Sequence, residues 1–219
     1  MFTRIICVVI GYVFGLFQTG YLYGRMNHID IRDYGSGNAG TTNAMRTLGK
    51  KAGIITYLGD CLKAVFCAVV IHFLFGKNQP DMEFLLILYG GLGVVLGHNF
   101  PFYLKFKGGK GIAATSGVAL SLTTYSILFP ILGILTFGGG TLITKYVSFG
   151  SLLFVTTFFI ELVVLGQVNG FGLATPYLVE VYVIGAALVI LAYWRHRANI
   201  SRLIHGTERK IGQKKEGQN

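Results

Sequence analysis

The sequence predicts an all-α integral membrane protein with seven transmembrane helices, and three observations carry that expectation. Of 219 residues, 53% are hydrophobic and 13% charged, with a mean hydropathy of +0.59; a soluble domain carries about 25% charged residues. The apolar residues gather into seven stretches, most approaching the ~20 residues that a helix needs to cross a ~30 Å hydrocarbon core. The lysines and arginines fall between those stretches in a lopsided pattern that an odd number of spans satisfies. With 31 glycines in no strict period and only four prolines, the chain is neither collagen-like nor disordered, since disorder needs low hydrophobicity. Its length fits one integral domain, residues 1–219, ending in a basic tail from about 209.

The first stretch, 5–23, ends on Tyr21 and Tyr23, an interfacial anchor, and no signal-peptide cleavage pattern follows it, so it is expected to stay in the mature protein. The second, 52–75, carries Asp60 and Lys63 three apart, on one helical face, where they neutralise and orient each other. Stretches 84–97, 112–122 and 125–143 are shorter or closely joined, as helices buried against neighbours can be, while 149–165 and 176–194 are clear spans. With the N-terminus outside, only Arg4 and Lys77 of the 19 basic residues fall on the outer side and Lys63 lies within a span. The rest, from Arg25 to Lys214 and Lys215, share the other side, which places the C-terminus in the cytoplasm. The net charge of +10 does not imply nucleic acid, because a domain that reads it needs a water-facing basic surface and too little of this chain stays in water. Cys7, Cys61 and Cys67 lie in apolar stretches without disulfide or zinc spacing and read as buried hydrophobes.

Three polar, glycine-rich segments face the cytoplasm in this topology. The first runs from Asp30 to Arg46: Gly35, Gly37 and Gly40 let backbone N–H groups share a concavity, Ser36, Thr41, Thr42, Asn38 and Asn43 add polar side chains, and Arg46 adds charge. The second runs from Gly97 to Gly111. Its Gly108-Gly109-Lys110-Gly111 turn opens an apolar helix and offers N-terminal amides to a phosphate, with Lys107 and Lys110 as point charges. The third runs from Trp194 to Glu208, where His196 and Asn199 share a helical face and His196 is placed to accept a proton. A single basic residue beside a membrane helix is commonly a topology signal or headgroup contact. Three such segments on one side indicate a site for anions.

Some short motifs mislead. Gly35-x-Gly37-x-x-Gly40 has the dinucleotide spacing, but those glycines follow a membrane span and not the strand of a βαβ unit. Gly109-Lys110 is followed by Gly111 and so is no P-loop. His28-x-x-x-x-Asp33 has the spacing of the large soluble or peripheral glycerolipid acyltransferases, without their other blocks.

Taken together and in order, the three segments resemble the PlsY family of bacterial acyl-phosphate:glycerol-3-phosphate acyltransferases. The matching residues are Gly35-Ser-Gly-Asn-x-Gly-x-Thr-Asn-x-x-Arg-x-Leu-Gly49, Gly97-His-x-Phe-Pro-x-x-Leu-x-Phe-Lys-Gly-Gly-Lys-Gly-x-Ala113 and His196-x-x-Asn-Ile-x-Arg-Leu-x-x-Gly-x-Glu208. The resemblance implies seven helices in a bacterial plasma (inner) membrane and a cytoplasmic active site. It implies acyl transfer from a long-chain acyl phosphate to the 1-hydroxyl of glycerol 3-phosphate, with neither metal nor cofactor. Carried onto this chain, it gives Ser36, Arg46, Lys107, His196 and Asn199 as catalytic residues. Gly35, Gly37, Asn38, Gly40, Thr42, Asn43, His98, Gly108, Gly109, Lys110 and Gly111 become substrate and phosphate ligands. Glu208 reads as a partner of nearby arginines. Two other classes compete: a transporter of a phosphorylated small molecule, which usually shows internal repeats and midplane charges, and a scaffold that binds anionic headgroups without chemistry.

Overall fold

A computed structural model describes residues 1–213, apart from the side chains of residues 169 and 170. Lys214, Lys215 and the rest of the basic tail lie outside the described residues. Every regular element described is helical: α1 (Phe2–Gly15), α2 (Thr19–Met26), α3 (Thr41–Leu48), α4 (Lys50–Ile71), α5 (Glu83–Asn99), α6 (Ile112–Ser121), α7 (Leu128–Thr144), α8 (Val147–Asn169), α9 (Thr175–Arg195) and α10 (Arg197–Ile204). Among the described residues, five helical runs are long and apolar enough to cross a membrane: Phe2–Met26, Lys50–Gly76, Pro80–Leu104, Val147–Val168 and Thr175–Arg195. The two short runs expected from the sequence, α6 and α7, are apolar helices of ten and 17 residues, joined through a turn at 122–126.

Helix α5 is the axis of the bundle, buried along most of its length. It meets α1 backbone to backbone, and glycine is what permits the approach. A Cβ on Gly93 would lie 2.2 Å from the carbonyl oxygen of Val8, and one on Gly97 would lie 2.2 Å from that of Tyr12. Small residues at such crossings let membrane helices gain close packing where no hydrophobic effect separates helix from lipid. Farther along, Phe84 of α5 stacks on Phe171 with centroids 4.0 Å apart, and Phe129 and Phe158 continue the aromatic core.

The first span departs from the expected continuous helix by breaking at 16–18. In a bilayer, carbonyls freed by a break must find donors inside the protein. Here the Gln18 amide donates to Gly15 O at 3.1 Å, the Tyr103 hydroxyl to Leu16 O at 2.7 Å, and the Lys63 ammonium to Phe17 O at 2.7 Å. Long-range donors close the break, so the apolar pattern alone shows no sign of it.

Long-range contacts also gather the three polar segments at one end of the bundle. Arg32 donates to Leu104 O at 3.3 Å, Arg195 to the carbonyls of Gly108 and Gly109, Lys110 to Asn199, and Ser148 at the start of α8 to Glu208 at 2.9 Å.

Candidate active site

The first segment is a loop with its polar backbone turned inward. Asp30 accepts the Arg32 backbone N–H at 3.0 Å and its guanidinium at 2.6 Å, and those bonds hold its carboxyl below the usual carboxylate range. Arg32 also lies over the Tyr21 ring, 5.0 Å from its centroid. Asn43 is buried, with its amide donating to Ile31 O (2.7 Å) and Tyr34 O (3.1 Å) while its oxygen accepts the Ser36 N–H (2.8 Å). Gly35 adopts φ +63 directly beneath that oxygen, where an added Cβ would approach to 2.2 Å. The Gly37 N–H goes to Tyr34 O at 3.0 Å. Asn43 is thus engaged with the backbone of the loop, and the amides of Ser36 and Gly37 are occupied. The loop displays side chains instead. Ser36 and Arg46 are exposed and Asn38 and Thr42 partly so, and the side chains of these four make no hydrogen bond among the described residues.

The second segment shows the same inversion. The amides of Gly108 and Gly109 donate to Asn99 O (3.2 Å) and His98 O (3.1 Å), and their carbonyls accept Arg195 at 2.7 and 2.9 Å. All four polar backbone groups of the pair are engaged, so the turn mounts the flanking lysines and its amides are not free for phosphate. By helix geometry the first-turn amides of α6, beyond Gly111 (φ +86), still lack intrahelical acceptors. Lys107 leaves the turn into a cleft of about 510 Å³, lined also by Tyr21, Arg32, Asp33, Gly37 and Tyr103. Lys110 leaves it toward the third segment and donates to Asn199. His98, expected among the ligands, is buried, with Nδ1 2.8 Å from the Lys63 Nζ.

In the third segment, Asn199 bridges. Its oxygen takes Lys110 and its amide donates to Glu208 at 2.6 Å, while Glu208 also accepts Ser148 (2.9 Å) and Arg202 (2.6 Å). Burial alone would raise the Glu208 carboxyl; the bonds from Asn199, Arg202 and Ser148 outweigh it and leave it below the ordinary value. His196 lies with Nδ1 2.8 Å from Ala192 O. A carbonyl only accepts, so Nδ1 carries the hydrogen and Nε2 is the free base. Burial, then the neighbouring Lys110 charge, pushes the ring down to about 4, so it is neutral at pH 7. Burial likewise pushes Lys110 down to about 8, with Glu208 opposing and Arg202, Arg195 and Arg46 reinforcing the shift. That one ammonium, itself in the second segment, thus feels charges from the first and the third.

The fold brings residues of the three segments together in two places. Lys107 and Gly37 share the cleft, and Arg46, Lys110, His196 and Asn199 surround Glu208. It does not assemble the His28–Asp33 pair: His28 is exposed in a left-handed turn (φ 61), Asp33 faces the cleft, and no hydrogen bond joins them. Arg195 and the Asp30–Arg32 pair escaped sequence reasoning, because next to a helix end they looked like topology signals. Among the described residues no group of three His, Cys, Asp or Glu is arranged to hold a metal.

Comparison with known proteins places this geometry in a family. The glycerol-3-phosphate acyltransferase family model matches residues 5–206. The glycerol-3-phosphate acyltransferase of Halalkalibacterium halodurans is 40% identical over 211 residues, covering 95% of this chain and 96% of that protein. That of Clostridioides difficile is 38% identical over 223 residues, covering 99% of each. The crystal structure of PlsY, an integral membrane glycerol 3-phosphate acyltransferase, in its glycerol 3-phosphate form superposes with a TM-score of 0.81 at 32% identity, covering 95% of this chain and 96% of that one. Its lysophosphatidic acid form gives 0.78 at the same identity, covering 95% of each chain. Matched along nearly its whole length in sequence and in fold, the chain belongs to the PlsY family of glycerol-3-phosphate acyltransferases.

Proposed function

We propose that the protein transfers a fatty acyl group from a long-chain acyl phosphate to the 1-hydroxyl of sn-glycerol 3-phosphate, releasing lysophosphatidic acid and inorganic phosphate. The observation that carries this reading is a surplus of cations at one end of the bundle. Arg46, Lys110 and Arg202 lie about one carboxylate, Glu208, Arg195 is held only by the carbonyls of Gly108 and Gly109, and Lys107 stands over a cleft with no anionic partner of its own among the described residues. Both substrates bring phosphate, which such a surplus fits, and the acyl tail accounts for a bilayer enzyme. The glycerol 3-phosphate and lysophosphatidic acid forms of the PlsY structure support the acceptor and the product.

A mixed anhydride is already an activated donor, so the protein has to position reactants, neutralise phosphate charge and stabilise the developing oxyanion. Arg46, Lys107 and Lys110, with the first-turn amides of α6, hold the phosphates, and Ser36, Asn38 and Asn199 orient hydroxyl and carbonyl. The glycerol oxygen attacks the acyl carbon, and the carbon–oxygen bond to phosphate breaks with its electron pair leaving on phosphate. The hydroxyl proton passes to that leaving phosphate, and His196 Nε2, neutral at pH 7, serves as hydrogen-bond partner or alternative base. Seven spans with the N-terminus outside put this end of the bundle in the cytoplasm of the bacterial cell, where glycerol 3-phosphate is met.

Direct transfer is tested by a single turnover with donor labelled in the acyl group. Lysophosphatidic acid and phosphate should appear in equal amounts, the acyl group on the 1-hydroxyl by NMR, with no label on protein. An acyl-enzyme at Ser36 would contradict direct transfer. A carrier for a phosphorylated solute has less support, since the buried intramembrane pair Asp60–Lys63 is already joined at 3.0 Å.

A further inference from the structure

Beneath the site, at the break between α1 and α2, lies a buried polar cluster that the chemistry above does not use. Lys63 is 4% exposed and Asp60 1%. The Lys63 Nζ lies 2.7 Å from Phe17 O, 2.8 Å from His98 Nδ1, 3.0 Å from Asp60 Oδ1 and 3.3 Å from Gly15 O, and Asp60 also takes the Thr19 hydroxyl at 3.2 Å. An ammonium has three hydrogens and no acceptor. Its three shortest contacts use them, so His98 accepts at Nδ1 and carries its own ring hydrogen on Nε2. Nε2 faces the phosphate turn: a Cβ on Gly109 would lie 2.0 Å from it, which puts the ring edge against the glycine itself. The His98 carbonyl meanwhile takes the Gly109 N–H at 3.1 Å and would lie 2.0 Å from a Cβ on Gly108. Arg195 grips the same turn through its carbonyls.

Neutralising Asp60 and satisfying the broken helix require of Lys63 only the carboxylate and the Phe17 carbonyl, since Gly15 O already takes the Gln18 amide at 3.1 Å. The bond to His98 serves neither need, and it is the one that reaches the turn between Lys107 and Lys110. We propose that Lys63 is a positioning residue for phosphate binding: it fixes the His98 ring, the ring seats Gly109, and the seated turn sets the directions in which Lys107 and Lys110 point.

This rests on reading those two lysines as phosphate ligands, and the test separates the two ideas. The competitive inhibition constant of inorganic phosphate and the KM for glycerol 3-phosphate are measured with melting temperature for wild type, Lys107→Ala, the uncharged pair Asp60→Asn/Lys63→Met, and His98→Leu, which keeps the ion pair but removes the acceptor. Both of the last two variants should raise the inhibition constant and KM about tenfold, with kcat falling less. His98→Asn, whose side-chain oxygen can take the Lys63 hydrogen, should recover part of that loss. Wild-type constants in folded His98→Leu or in the folded double variant overturn the inference, as does a lower melting temperature with unchanged constants. If phosphate does not inhibit wild type and Lys107→Ala leaves KM unchanged, the phosphate-site reading fails first and takes this inference with it.

Discussion

The two ends of the bundle carry charge in opposite styles. At the end where α1 begins, Arg4 makes a two-pronged pair with Glu180 at 2.6 and 2.7 Å, Tyr89 donates to the same carboxylate at 2.7 Å, and His72 meets Glu83. Lys77 rests over the Phe73 ring, 4.8 Å from its centroid. At the other end, Lys110, Arg46 and Arg202 lie about Glu208, and among the described residues Lys105 and Lys107 form no ion pair with a carboxylate. Arg4 and His72 each close on a carboxylate and stitch helices together. A surplus of cations around one carboxylate is costly unless anions arrive, and at Lys110 the charges of Arg202, Arg195 and Arg46 add to burial, the larger cause, in pushing the pKa down to about 8. The difference teaches that charge count separates the two ends less well than charge balance does.

The sharpest way to break the comparison is to remove a surplus cation. Arg46→Ala or Lys107→Ala should lower kcat/KM by on the order of 10²–10³ in folded protein, the scale seen when a donor aimed at developing charge is deleted. A loss under tenfold at both positions would make the surplus a topology signal only. A pH series sharpens it further. Lys110 is charged below about 8 and neutral above, so KM for the phosphate substrate should climb as pH rises through 8, and Lys110→Arg should move that climb to higher pH. His196 titrates near 4, so its protonation should leave kcat/KM level from about pH 5 to 7, and a histidine-type inflection near the unperturbed ~6.5 would contradict its buried, neutral state. His196→Ala should cost roughly tenfold or less in kcat if the leaving phosphate takes the proton; complete loss in folded protein would make the imidazole the base. The smallest effect on activity belongs to the balanced end. Glu180→Ala should lower the melting temperature by roughly 5 °C and leave KM for both substrates unchanged in the protein that stays folded.

The helices were legible because bilayer thickness and apolar run length are local properties, and the three motifs because glycine, asparagine and lysine stand close together in sequence. Roles within the motifs were less legible. Asn38 and Asn43 look alike as letters, yet one stands at the loop surface and the other clamps Ile31 and Tyr34 from beneath. Gly108 and Gly109 look like a phosphate cradle, yet their polar groups are spent on the end of α5 and on Arg195. His98 looks like a ligand, yet its ring is buried against Lys63. In each case the deciding hydrogen bond comes from a distant part of the chain or from one atom of an amide, and sequence spacing records neither. The break at 16–18 was hidden for the same reason, since its donors, Lys63 and Tyr103, come from other helices and loops.

The central claim is that the unbalanced end exists for two phosphates, one on each substrate. Purified protein in lipidic mesophase, given glycerol 3-phosphate and either a long-chain acyl phosphate or the matching acyl-CoA, tests it most directly through release of phosphate and formation of lysophosphatidic acid. Turnover with acyl phosphate and none with acyl-CoA is the predicted result. Turnover with acyl-CoA alone would contradict it and return attention to His28 and Asp33, and no turnover with either donor would leave a carrier of phosphorylated solutes as the better reading.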